Sequence, residues 1–102
     1  MKLEIIVKPK STKYLEFSQS LVFIKSDLKK LCESIVITEE NRVFSIFLAM
    51  ESTKQLMEIL NSTEIRILSG AIKMLQEKSE IIIHRDGIQK TVSDLKSVAD
   101  II

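Results

Sequence analysis

Residues 43–51 read VFSIFLAME, and this stretch limits the architecture more than any other. Its short length and its aromatic and branched content mark a strand. Successive side chains in a strand alternate between the two sides of the sheet. Val43, Phe47 and Ala49 therefore share one side, and Phe44, Ile46, Leu48 and Met50 share the other. Both sides are apolar. A sheet built around this strand needs cover on two faces, because a broad apolar face left in water exceeds what a monomer ordinarily exposes.

The flanking segments supply the other elements. Leu3 to Lys8 is a strand with Leu3, Ile5 and Val7 on one side and Glu4, Ile6 and Lys8 on the other. Pro9 ends it, since proline brings no amide hydrogen to a ladder. Ser11 or Thr12 caps a first helix in which Tyr14, Phe17, Leu21, Ile24, Leu28 and Leu31 recur at alternating spacings of three and four. Ser26-Asp27 marks a kink and restart. Ser34 to Thr38 is a short strand, and Glu39-Glu40-Asn41-Arg42 is a polar turn that joins it to the strand at 43–51 as a hairpin. Ser52 with Gln55 forms a capping box opening a short helix through Leu60.

Asn61-Ser62 interrupts that helix. Asn61 with Glu64, or Thr63 alone, then caps a second amphipathic helix, with Ile65, Leu68, Ile72 and Leu75 on one face. Gly70 lies inside it at a cost of about 1 kcal/mol relative to Ala, and close packing against a neighbouring backbone is the expected reason. After the polar stretch Gln76 to Glu80, Ile81-Ile82-Ile83 is a branched run that reads as a strand ending at His84. Asp86-Gly87 is a turn. Thr91 caps a tail helix over 91–102, with Val92, Leu95, Ala99 and Ile102 on one side.

The order β-α-β-β-α-β plus a tail helix predicts an α+β chain, a ferredoxin-like antiparallel sheet with helices on one face, in one domain spanning residues 1–102. Helices on a single face cannot cover both sides of the strand at 43–51, nor both sides of the last strand, where Ile81 and Ile83 lie opposite Ile82. The expected cover is a second copy, packed sheet to sheet as a C2 homodimer. The tail helix is the rival cover.

Composition narrows the function. The formal net charge is +1, which gives no bulk attraction to nucleic acid. Seven lysines among the first thirty residues, against Glu4, Glu16 and Asp27, read as a solvated face. The strand at 43–51 lacks the glycines of an RNA-recognition strand, Phe44 and Phe47 lie on opposite sides, and the first strand has no aromatic. No nucleic-acid partner is expected. Cys32 is the only cysteine, so no internal disulfide forms; placed after an apolar helix, it reads as a buried structural thiol in a reducing compartment. One His, one Cys and scattered acids do not make a metal site. No apolar run approaches ~18 residues, and the amino terminus enters a strand without a signal-peptide layout. The expectation is a soluble cytoplasmic protein with no membrane partner.

The stretch Ser62-Thr63-Glu64-Ile65-Arg66-Ile67-Leu68-Ser69-Gly70-Ala71-Ile72-Lys73-Met74-Leu75 resembles the pattern S-x-x-F-R-x-L-x-G-A-x-K-x-L of the antibiotic biosynthesis monooxygenase family. Ile6-Val7-Lys8-Pro9-Lys10, followed by a helix with Phe17, is similar to that family's opening. The resemblance spans about residues 1 to 85. It implies a dimeric α+β barrel with a cavity in each subunit between sheet and helices. It also implies oxygenation of a small aromatic or quinol substrate without a cofactor; some relatives degrade haem. Arg66 matches the family pattern. Met50 stands where the family often has a Trp, Ile59 where it has a His, and Ile5, Ile6 and Val7 offer no counterpart to the haem degraders' Asn. The Gly-Cys entering the second strand survives as Leu31-Cys32.

Two readings follow. In the first, the protein is a cofactor-independent monooxygenase that holds a reactive substrate anion beside oxygen in a dry pocket, where orientation and desolvation do most of the work. Asn61, Arg66 and His84 are the candidate catalytic residues, His84 as a general base. No cofactor and no metal are expected. In the second, the same barrel is a non-catalytic ligand-binding or interaction module. A pocket lined by convergent polar groups marks the enzyme; a cavity filled by Met50, Phe44 or Phe47 marks the module.

Overall fold

The computed structural model describes residues 1–75, the strand at 79–84 as backbone with the side chain of Ile82, and Leu95 and Val98 beyond it. Among the described residues seven elements follow in order: β1 (Lys2–Val7), α1 (Tyr14–Leu31), β2 (Val36–Glu40), β3 (Val43–Ala49), α2 (Thr53–Leu60), α3 (Thr63–Met74) and β4 (Ser79–His84). The four described strands form one antiparallel sheet in the order β2-β3-β1-β4. This is the ferredoxin-like α+β arrangement that the sequence predicts, with its second helical segment divided into α2 and α3.

The alternation in the central strands decides which face carries the helices. Leu3, Ile5 and Val7 of β1 and Phe44, Ile46 and Leu48 of β3 are buried, none more than 3% exposed. Onto them α1 lays Phe17, Leu21, Ile24 and Leu28; α2 adds Leu56, Ile59 and Leu60; α3 adds Ile65, Leu68 and Ile72. Leu75, Leu95 and Val98 complete the same core. The Phe44 ring meets Phe17 edge-on at 5.2 Å and Tyr14 at 5.4 Å, and the Arg42 guanidinium lies 5.4 Å over Tyr14. Met1 and Met50 exchange two backbone hydrogen bonds, of 2.7 and 2.8 Å, which lengthen the β1–β3 ladder by one pair. Cys32 is buried beneath the end of α1, as the sequence predicts. No helix among the described residues is long and apolar enough to cross a membrane.

Several local expectations are corrected. The hairpin turn is confined to Asn41 and Arg42, with φ of 51° and 62°. A two-residue turn with both residues left-handed matches the twist of its strands, so β2 pairs down to Glu40 opposite Val43 instead of stopping at Thr38. β3 ends at Ala49, short of Glu51. Helix α1 runs unbroken through Ser26-Asp27, because Ile24 and Leu28 carry the buried stripe across and Asp27 pairs with Lys30 at 3.5 Å. Its N-cap is Lys13, with no side-chain cap; Ser11 and Thr12 lie in the preceding turn. Asn61 closes α2, and Ser62 caps α3 by accepting the Ile65 N–H at 3.3 Å. The two helices abut, so only the residue directly before α3 has the extended backbone a cap requires. Gly70 is exposed, and a Cβ added there meets nothing within 4 Å, so close packing does not explain it. The Asp86-Gly87 turn and the Thr91-capped helix lie outside the described residues, apart from the buried Leu95 and Val98.

The second face of the sheet carries rows that cross all four strands. Val36, Phe47, Glu4 and Ile82 are neighbours in register, and Thr38, Ser45, Ile6 and Glu80 form the next row. Val36 is exposed, while Ile6, Val43, Phe47, Ala49 and Ile82 are half-buried. The described helices pack on the other face.

Candidate functional site

A groove runs between α1 and β2, the outer strand of the sheet among the described residues. Ser18, Leu21, Val22 and Lys25 border it on the helix, Ile37, Thr38 and Glu39 border it on the strand, and Phe44 of β3 floors it. Its volume is about 170 Å³. The groove follows from the strand order. Helix α1 centres its buried stripe on β1 and β3, and β2, lying outside them, is exposed along its length except for the half-buried Ile37. The flank of α1 next to its core stripe therefore overhangs an edge that the helix does not fill.

The walls are apolar and the rims polar. Leu21, Val22, Ile37 and Phe44 make the walls, and the Phe44 ring is fixed from behind by Phe17 and Tyr14. Lys25 supplies a cation on one rim and Glu39 a carboxylate on the other; among the described residues neither is in an ion pair. The Ser18 hydroxyl can both donate and accept, whereas Thr38 shares the second face with Ser45 and borders the groove only as part of the strand. An apolar cavity of about 150 Å³ holds one benzene ring, so the groove matches a single aromatic ring and is small for a fused system. Lysine can hold a phenolate oxygen and glutamate can take its proton, the two halves of acid–base chemistry on a hydroxylated ring.

The residues singled out in the sequence do not line this groove. Asn61 is exposed at the end of α2, with its backbone N–H bonded to the carbonyls of Met57 and Ile59. Arg66 is exposed on α3, away from the buried Ile65 and Leu68. These two share the corner where α2 meets α3. His84 ends β4 opposite Lys2, at a register position on the second face. Phe44 and Met50 are buried in the core where the resemblance implies a cavity, and Phe47 belongs to the second face. Among the described residues no group of His, Cys, Asp or Glu is placed to hold a metal. Nothing in the local sequence marks Ser18, Lys25, Thr38 and Glu39 as groove residues. Ser18, Leu21 and Lys25 do form a stripe beside the core stripe, but only the strand order shows that it borders an open edge.

Solved structures share the fold. One is a "putative antibiotic biosynthesis monooxygenase" from Deinococcus radiodurans, with a TM-score of 0.67 and 15% identity over 90% of this chain and 100% of that one. Another, of the same description, is from Nitrosomonas europaea, with a TM-score of 0.62 and 12% identity over 79% of this chain and 95% of that one. No family model matches the sequence, and no curated protein does. The chain therefore has an antibiotic biosynthesis monooxygenase-like fold; at these identities the likeness is one of fold.

Proposed function

We propose that the protein is a cofactor-independent monooxygenase of a small aromatic or quinol substrate of one ring, working in the cytoplasm as a homodimer of one-domain chains. The observation that carries this reading is the ring-sized groove, with Lys25 and Glu39 on its rims, on a fold shared with two proteins each described as a "putative antibiotic biosynthesis monooxygenase". The dimer reading rests on the second face, where the half-buried Phe47, Val43 and Ile6 lie among Glu4, Ser45 and Thr38.

In this mechanism the ring lies against Phe44. Glu39 accepts a hydroxyl proton and the Lys25 ammonium stabilises the resulting oxyanion. The anion gives its electrons to oxygen. A ring C–H bond is replaced by C–O, the ring leaves oxidised to the quinone level, and the second oxygen atom leaves as water. Quinol plus O₂ thus gives hydroxyquinone plus water, with no outside reductant. The protein orients the ring and limits water around the anion.

Oxygen uptake with single-ring quinols and phenols tests this. The wild type is expected to turn over, and Lys25→Met and Glu39→Gln to lose roughly 10²-fold or more. A loss in Arg66→Ala, with both groove variants unaffected, moves the chemistry to the corner of α2 and α3. Absence of uptake by the wild type across the series ends the oxygenase reading.

A further inference from the structure

The face of α1 turned away from the core carries a second pattern. Phe17, Leu21, Ile24 and Leu28 are its buried stripe. On the other side Leu15, Gln19, Val22 and Ser26 follow one another at spacings of four, three and four, with Phe23 beside Val22. Leu15 is 65% exposed, Val22 74% and Phe23 73%. Val22 and Phe23 are the most exposed large apolar side chains among the described residues.

Lysines surround this ridge. Lys25, Lys29 and Lys30 are all exposed. The acids of the helix are already engaged, Glu16 with Lys13 and Asp27 with Lys30, each at 3.5 Å. Lys25 and Lys29 have no carboxylate partner among the described residues. The residues between the apolar ones, Gln19 and Ser26, are uncharged.

We infer that the outward face of α1 docks the protein on an anionic lipid surface, with Leu15, Val22 and Phe23 entering the headgroup–acyl boundary and Lys25 and Lys29 meeting lipid phosphates. Apolar residues rimmed by lysine are the pattern of helices that lie in a membrane interface. Lysine stems follow the apolar surface while their ammonium groups stay at headgroup level. Lysine is depleted from the cores of protein–protein interfaces, which favours lipid over a protein partner. That no helix among the described residues is long and apolar enough to cross a membrane does not bear on docking of this kind. Val22 and Lys25 also border the groove, so its mouth would open at the lipid interface. The docking does not depend on the proposed reaction.

Flotation with vesicles tests it. The wild type is expected to float with phosphatidylcholine vesicles containing phosphatidylglycerol, not with phosphatidylcholine alone, and to be released by high salt. The double variant Val22→Ser, Phe23→Ser is expected to lower the bound fraction roughly tenfold or more. The double variant Lys25→Glu, Lys29→Glu is expected to abolish flotation, and thermal melts verify that both are folded. Failure of the wild type to float overturns the inference, as does flotation that both variants retain. So does a lipid-free assembly that the Val22→Ser, Phe23→Ser variant dissolves, since the ridge then belongs to a second copy.

Discussion

Cys32 donates a hydrogen bond from its Sγ to the carbonyl oxygen of Ala49 at 3.2 Å, tying the end of α1 to the end of β3. The thiol is 2% exposed. Cys32→Val removes the donor from a part-buried carbonyl, which costs about 0.5–1.5 kcal/mol. Urea unfolding measures the loss. The wild-type thiol is expected to resist a thiol reagent in the folded protein and to react fully once unfolded. Fast labelling under native conditions would contradict its buried position.

The junction of α2 and α3 makes a sharper test, because two adjacent polar residues have different roles there. The Ser62 Oγ accepts the Ile65 N–H at 3.3 Å and donates to the Ile59 carbonyl at 2.6 Å. Asn61 is exposed and holds its place through its backbone. Ser62→Ala is expected to cost about 1 kcal/mol. Asn61→Ala is expected to stay within about 0.5 kcal/mol of the wild type. Denaturant midpoints compare the two, and equal losses would move the cap to Asn61.

The same junction illustrates which features a sequence discloses. Ile65, Leu68 and Ile72 announce a helix because burial repeats with the helical period, and all three are buried. The faces of β1 and β3 follow from alternation for the same reason: Leu3, Ile5 and Val7 lie with Phe44, Ile46 and Leu48. Asn61, Ser62 and Thr63 are all plausible caps by residue type, and only the end of α2 selects Ser62. Gly70 looks like a packing glycine until its surroundings are seen to be empty. The groove was hidden for a different reason. Ser18 and Lys25 are near one another on a helix, but Thr38 and Glu39 join them only because β2 takes the outer position beside β3. Strand order comes from the whole chain, and no local pattern near Glu39 encodes it.

Gly70 also offers a gain. It is exposed in the middle of α3, and a methyl group there meets nothing within 4 Å. Gly70→Ala is expected to stabilise the protein by about 0.5–1 kcal/mol, through helix propensity and a less flexible unfolded chain. At roughly 4–8 °C per kcal/mol for a domain near this size, the melting temperature rises by several degrees. A lower melting temperature would mean that a partner approaches the α3 backbone closely.

Phe44 and Phe47 separate the core from the proposed dimer. They lie three residues apart on β3 and on opposite faces: Phe44 is 3% exposed beneath α1, and Phe47 sits in the row with Val36, Glu4 and Ile82. Phe44→Ala opens the core and is expected to cost about 3–5 kcal/mol. Phe47→Lys leaves that core intact and places a charge where a second sheet would pack, an unpaired charge that a dry interface does not tolerate. Light scattering on a sizing column is expected to give a dimer for the wild type and a monomer for Phe47→Lys, with native circular dichroism retained at low temperature. A wild-type monomer at micromolar concentration would remove the dimer and leave the half-buried Ile6, Val43 and Phe47 to be covered from within the chain. A Phe47→Lys protein that stays dimeric would place the interface on another surface. The two substitutions therefore divide the double-sided strand into the half that builds the fold and the half that meets a partner.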